Sequence, residues 1–103
     1  MSTAVNGAHL EALGDGSFRV SGTLDARTVA AVLEEGEARF GNGSPVQVDL
    51  AGVTHSDSAG LALLIEWLRQ ARLRGQQIRY ANVPKQIEAL ATISEVADLL
   101  KAD

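Results

Sequence analysis

The chain has 103 residues, a net charge of −4 and no cysteine. That length suits one domain with one modest core. The missing cysteine excludes disulfides, thiolate catalysis and cysteine-bound zinc. The acidic balance disfavours nucleic acid, whose phosphates ask for a basic surface. Aromatic residues make up only 4%, so the core must be aliphatic.

The opening stretch MSTAVNGAH has neither a basic segment nor an apolar run, so no secretory leader is expected. Residues 1–7 are small and polar and are expected to be disordered, leaving 8–103 as a single domain. The longest apolar run, Leu61–Ile65, is far short of the roughly 20 residues that span a bilayer. A cytoplasmic protein is the expectation.

Taken in order, Ala8–Leu13 and Ser17–Ser21 flank Gly14-Asp15-Gly16, which reads as a β-hairpin. Phe18 and Val20 alternate with Arg19 and Ser21, so one face of the second strand is buried. Gly22–Asp25 is a connection, and Asp25 is placed to cap a helix over about Ala26–Phe40. Val29, Val32, Leu33, Gly36 and Phe40 follow one helical face. The run from Gly41 to Pro45 stops it.

Val46–Leu50 alternates as a strand. Leu61 to about Arg74 is the strongest helical pattern, with Leu61, Leu64, Ile65, Leu68 and Ala71 in one stripe and Gly75 after its end. Gln77–Ala81 is a short strand. Pro84 suits the first turn of a third helix carrying Ile87, Leu90 and Ala91. Ser94 is placed to cap a last turn or two with Val96, Leu99 and Leu100 inward. Strands alternating with helices predict parallel pairing and right-handed crossovers. The fold class is therefore α/β: a mixed sheet of about four strands with helices mostly on one face.

The chemistry concentrates between Val46–Leu50 and the helix that follows. A strand, a polar loop Val53–Gly60 and a helix N-terminus stand in a row, where open α/β sheets place their sites. Ser58 is either the N-cap or a first-turn residue, close to free N–H groups that favour an anion. Ala59 and Gly60 leave room for another backbone. Ser56, Asp57 and Ser58 also read simply as helix caps. Catalysis has little behind it. His55 lies beside Ser56 and Ser58, but there is no GxSxG elbow. Neither GxxxxGK[ST] nor GxGxxG occurs. Asp49 and Asp57 lack a third ligand, and His9 and His55 lack metal-ligand spacing, so no metal or cofactor is expected.

On the helix after Gly60, Leu63 and Trp67 lie at the edge of the main stripe, where burial would be incomplete. They either widen the core or anchor an interface. Leu33 stands similarly beside the Val29/Val32 line, with Ala30 and Ala31 leaving that helix smooth. Arg69, Arg72 and Arg74 read as a solvated helix end, with anionic lipid as the other possibility.

GTLDARTVAAV, VQVDLAGVTHSDSAGLALLI and RGQQIRYANVPKQIEALATIS together resemble a STAS domain, from about Phe18 to Ile93. The most specific part is Asp57-Ser58-Ala59-Gly60-Leu61, similar to the family's D-[ST]-x-G-L loop. The resemblance implies the mixed STAS sheet and a non-enzymatic regulatory role without a cofactor. In the anti-sigma-factor-antagonist branch, the residue in the place of Ser58 is phosphorylated by a partner kinase, which blocks partner binding.

A narrower resemblance, to the MlaB type of small STAS protein, rests on three features. These are the short chain, the runs GLALLIEWLRQARLRGQQI and ALATISEVADLL, and the lack of a clear fifth strand. It implies binding to the cytoplasmic, MlaF-like ATPase subunit of a phospholipid ABC transporter in Gram-negative bacteria and, through it, to the inner-membrane permease. The protein would sit peripherally at the inner membrane and support assembly and activity in maintaining outer-membrane lipid asymmetry. The contact would centre on Ser58, with Thr54, His55, Ser56, Asp57, Ala59 and Gly60 around it and Leu33, Leu63 and Trp67 as further interface.

Overall fold

The structure is a computed structural model that describes residues 7–41 and 43–100. The expectation of a disordered start falls, for residues 1–6, outside these. Gly7 is described, and its carbonyl accepts the Thr23 N–H at 2.8 Å.

Strands β1 (Ala8–Gly14) and β2 (Ser17–Leu24) form the expected hairpin. Asp15 and Gly16 make its two-residue turn, both at positive φ (55° and 79°), the Asp-Gly geometry whose twist suits antiparallel strands. β2 does not stop at Ser21. Gly22, at φ 91°, continues the strand, and a Cβ there would lie 1.8 Å from the Gly7 carbonyl oxygen.

Strand β3 is longer than its alternation predicts, running Val46–Ser56. Its register with β2 slips twice, between Arg19 and Ser21 and between Gly22 and Thr23. Each slip places an extra residue on β3, so the two-residue pattern fades after Leu50 although pairing continues. Gly52 permits the first slip, since a Cβ there would meet Ser21 Cβ at 2.8 Å. β4 (Ile78–Ala81) closes the sheet, in the order β1-β2-β3-β4. β1 and β2 are antiparallel; β2, β3 and β4 are parallel.

One sheet face carries Leu10, Phe18, Val20, Val46, Val48, Ile78 and Tyr80, all buried. Glu11, Arg19, Gln47 and Arg79 stand on the other face, exposed. The helices α1 (Val29–Arg39), α2 (Ser58–Leu73) and α3 (Lys85–Ile93) therefore cover the first face, as expected. α1 begins three residues later than predicted. Thr28, fully buried, donates its hydroxyl to the Thr23 carbonyl at 2.9 Å and accepts the Asp25 N–H. Asp25 spends its carboxylate on the Arg27 N–H at 2.9 Å, in a turn before the helix rather than on it. At the far end, Pro84 is the N-cap of α3 and not its first residue. Ser94 is the C-cap of α3, followed by Glu95 at φ 61° and a short 3-10 turn, Ala97–Leu100. The Val96 N–H returns to the Ala91 carbonyl at 2.8 Å, closing the helix end.

The buried stripe of α2 is turned from the predicted one. Gly60, Leu61, Leu63, Leu64, Trp67 and Ala71 are buried, whereas Ile65 and Leu68 are only half-buried. Leu63 and Trp67, expected at a partly exposed edge, are 3% and 1% exposed. The cause lies on α1. Gly36 has no side chain, and the indole of Trp67 occupies that space; a Cβ on Gly36 would be 2.5 Å from Trp67 Nε1. Phe18, Phe40 and Trp67 then stack edge-to-face, with both centroid spacings 5.0 Å.

Gln76 is a buried polar group that fastens two connections. Its amide donates to the carbonyls of Phe40 at 2.9 Å and Ser44 at 2.8 Å, and its oxygen accepts from Arg74. Gln76→Ala leaves the buried Phe40 carbonyl without its partner and frees that of Ser44. It is expected to lower unfolding free energy by about 2 kcal/mol, measured by urea titration.

Candidate functional site

The parallel strands end on one side of the sheet, and the junction from β3 to α2 lies there. It is tighter than the polar loop expected from sequence. β3 pairs with β2 through Leu24↔Ser56, and α2 starts at Ser58, so Asp57 alone connects them. β4 stops opposite Asp49, which leaves the last part of β3 without a neighbour on that side. Thr54 and His55 are accordingly exposed.

Asp57 is the N-cap of α2. It is in extended conformation, and its carboxylate accepts the Ala59 N–H at 2.8 Å. Its own N–H donates to the Leu24 carbonyl at 3.2 Å, and its carbonyl accepts from Gly60 N–H at 3.0 Å. Such a cap is worth about 1 kcal/mol. Ser56 is buried, and its hydroxyl donates to the Asp57 carbonyl at 3.1 Å. Gly60 packs on it: a Cβ there would lie 2.0 Å from Ser56 Oγ and 3.2 Å from Leu24 Cβ. The missing side chain of Gly60 therefore serves internal packing and not, as its small size suggested, the approach of another backbone.

The result is a platform. Ser56 and Gly60 are sealed inside, Asp57 ties the helix to the strand, and Ser58 stands exposed in the first turn. Ala59 and Leu33 are half-buried. Of the two roles open to Leu63 and Trp67 from sequence, interface anchor or wider core stripe, their burial fits the second.

The structure does not assemble a nucleophile and base. Ser56 is buried and bonded to the adjacent carbonyl, and His55 makes no hydrogen bond to it or to Ser58. Asp49 and Asp57 serve separate places. Asp49 accepts from Asn82 Nδ2 and from the Ala51 N–H, both at 2.9 Å. Among the described residues no three His, Asp or Glu side chains could share a metal ion. Among them also, no helix is long and apolar enough to cross a membrane.

Two residues that position this end of the molecule escaped sequence reasoning. Thr28 shapes the turn that brings β2 into α1. Asn82, at φ 58°, turns back from β4 to clamp Asp49. The available signal for Asn82 was its type, since Asn tolerates the left-handed region better than most residues.

Asn82 is also the main reason that the Asp49 carboxyl is held below the usual carboxylate value, with the Ala51 N–H second. The folded state then binds fewer protons than the unfolded one. This contribution is complete above the ordinary carboxylate range and is lost as pH falls through the lowered value. Asn82→Ala is expected to move the Asp49 midpoint upward, as read by carboxyl chemical shift against pH.

Comparison with known proteins bears on this geometry. The family model described as "Mlab, STAS domain" matches residues 10–101. Among solved structures, the chain is similar to the anti-sigma factor antagonist SpoIIAA in its unphosphorylated form, with a TM-score of 0.68 and 16% sequence identity. That match covers 93% of this chain and 87% of the other. No match was found among curated protein sequences.

Proposed function

Because the chain belongs to the STAS-domain family, we propose that it is a non-catalytic docking subunit of an Mla-type phospholipid ABC transporter. STAS domains are generally non-catalytic regulatory domains. The partner is the cytoplasmic ATPase and, through it, the inner-membrane permease. The subunit supports their assembly and activity in keeping outer-membrane lipids asymmetric.

One observation carries this reading: Ser58 is exposed on a first turn whose neighbours, Ser56 and Gly60, are locked in the core. A rigid junction presenting a small hydroxyl, with Thr54 and His55 exposed nearby, suits close contact with a folded partner. The word "Mlab" in the family description favours the transporter as that partner.

The test is affinity purification of the tagged chain from native membranes. Wild type brings down an ABC ATPase and permease. Ser58→Asp sets an unpaired charge in the contact and weakens recovery by at least about tenfold. Its melting curve stays near wild type, since the site is exposed. Full recovery with Ser58→Asp removes this reading.

A second reading, an anti-sigma factor antagonist switched at Ser58, draws on the same exposed hydroxyl. Asp57 already uses the Ala59 N–H, and the Gly60 N–H is bonded within the junction. A phosphate on Ser58 would therefore add charge beside a carboxylate, which repels a partner more than it anchors one. Under this reading the same purification yields a kinase-like anti-sigma factor, and mass spectrometry finds phosphorylated Ser58. Unmodified protein in every growth state removes it.

A further inference from the structure

Among the described residues the sheet ends at β4, whose outer edge has no neighbouring strand. Val46 donates its N–H to the Gln77 carbonyl at 2.9 Å and pairs with Ile78. In a parallel ladder that register turns the backbone groups of Gln77 and Arg79 toward β3, and those of Ile78 and Tyr80 outward. The outward edge borders a groove of about 490 Å³. Leu68 and Arg72 of α2 form part of one wall, and Leu99 and Asp98 part of another, with Arg79 beside them.

The charge at this end runs against that of the chain. The net charge is −4, yet four of the nine basic residues, Arg69, Arg72, Arg74 and Arg79, stand on the last turns of α2, at its C-cap and on β4. Arg69 is bound to Glu66 and Arg74 to Gln76, and Arg79 also has a partner within the protein. Arg72 is exposed, and its guanidinium has no hydrogen bond or ion pair with any described residue. Leu99 is 43% exposed although it is large and apolar.

We propose that the β4 edge takes an extended acidic segment of a partner protein as a fifth strand. Its backbone pairs with Ile78 and Tyr80. Successive side chains of a strand face opposite ways. Acidic residues on one side of the segment then meet Arg79 on the open face of the sheet. Alternating apolar residues enter between Leu68 and Leu99, beneath the field of Arg72. A lipid headgroup or a free anion would satisfy the arginines but not a row of outward amides, so a polypeptide is the occupant that uses the whole edge. This surface is separate from the Ser58 junction.

The probe is a labelled peptide, acetyl-Glu-Val-Glu-Val-Glu-Val-amide, followed by fluorescence anisotropy and by amide exchange. Binding is expected to slow exchange at the Ile78 and Tyr80 amides and to weaken as salt rises. The peptide with Lys in place of Glu does not bind. Arg72→Glu and Arg79→Glu, both at exposed positions, each weaken binding by about tenfold, while Ser58→Asp leaves it unchanged. Equal binding of the Lys peptide overturns the proposal, as does binding undiminished in the double arginine variant. So does unaltered exchange at Ile78 and Tyr80. Self-association of the free protein that protects the same amides assigns the edge to a second copy, and also overturns it.

Discussion

Trp67→Ala is expected to cost about 3–5 kcal/mol of folding stability, the range for removing a fully buried large side chain. Small domains have only about 5–15 kcal/mol in total, so the variant should be largely unfolded at moderate urea. Trp67 is 1% exposed and fills the space left by Gly36, against the edge of Phe40. Its indole N–H points at the Leu33 carbonyl at 3.5 Å, too long to add much. Nearly all of its value is therefore packing. The measurement is a urea titration, followed by intrinsic fluorescence in wild type and by circular dichroism in the variant. Were Trp67 an interface anchor, Trp67→Ala would lose partner binding and keep its stability. A core role predicts that both fall together, with Trp67→Phe recovering part of the stability.

The second large effect is expected at Gly60→Val. The first carbon added there would stand 2.0 Å from Ser56 Oγ and 3.2 Å from Leu24 Cβ, and valine adds two methyl groups beyond it. Ser56 is itself buried, so its hydroxyl can turn away only by giving up the Asp57 carbonyl. The helix start must lift from β3, at about 3 kcal/mol. Lifting it disturbs the Asp57 cap and displaces Ser58, so partner recovery should fail even where enough folded protein survives. Gly60→Val with Ser56→Gly removes the nearest obstacle and should regain part of the stability. If the double variant is no better than the single one, the strain lies elsewhere. Gly60→Ala is milder, because helix propensity offsets roughly 1 kcal/mol of the crowding.

These substitutions mark where sequence and structure diverge. The type and order of the elements were legible because each rests on local patterns. Asp15-Gly16 twists the hairpin, alternation marks β2 and β3, and the apolar spacing after Gly60 marks a helix. The junction between β3 and α2 was legible too, since a strand running into a helix with Asp-Ser at the join marks a capped helix start.

What could not be read were features that depend on a partner strand or helix. The two bulges in β3 need the register of β2. Without it, the loss of alternation after Leu50 looked like the end of the strand, and Val53–Ser56 looked like loop. The helical wheel ranked Leu61, Leu64, Ile65, Leu68 and Ala71 as the core of α2. The stripe instead turned toward Leu63 and Trp67 because Gly36 lets α1 come close on that side. Gln76 shows the same limit. A glutamine after a helix is ordinarily solvated, and only the carbonyls of Phe40 and Ser44 arriving from elsewhere make it worth burying.

By itself, then, the sequence determined the alternation of strands and helices, the aliphatic core and the location of the β3–α2 junction. Each of these follows from backbone geometry and hydrophobic period within a few residues. Only the tertiary structure decided which residues of that junction face outward. Ser56 and Gly60 are consumed by contact with each other and with Leu24, and Asp57 by the cap. Ser58 is left as the exposed hydroxyl, because burial of one side chain is set by the neighbours that long-range packing brings against it.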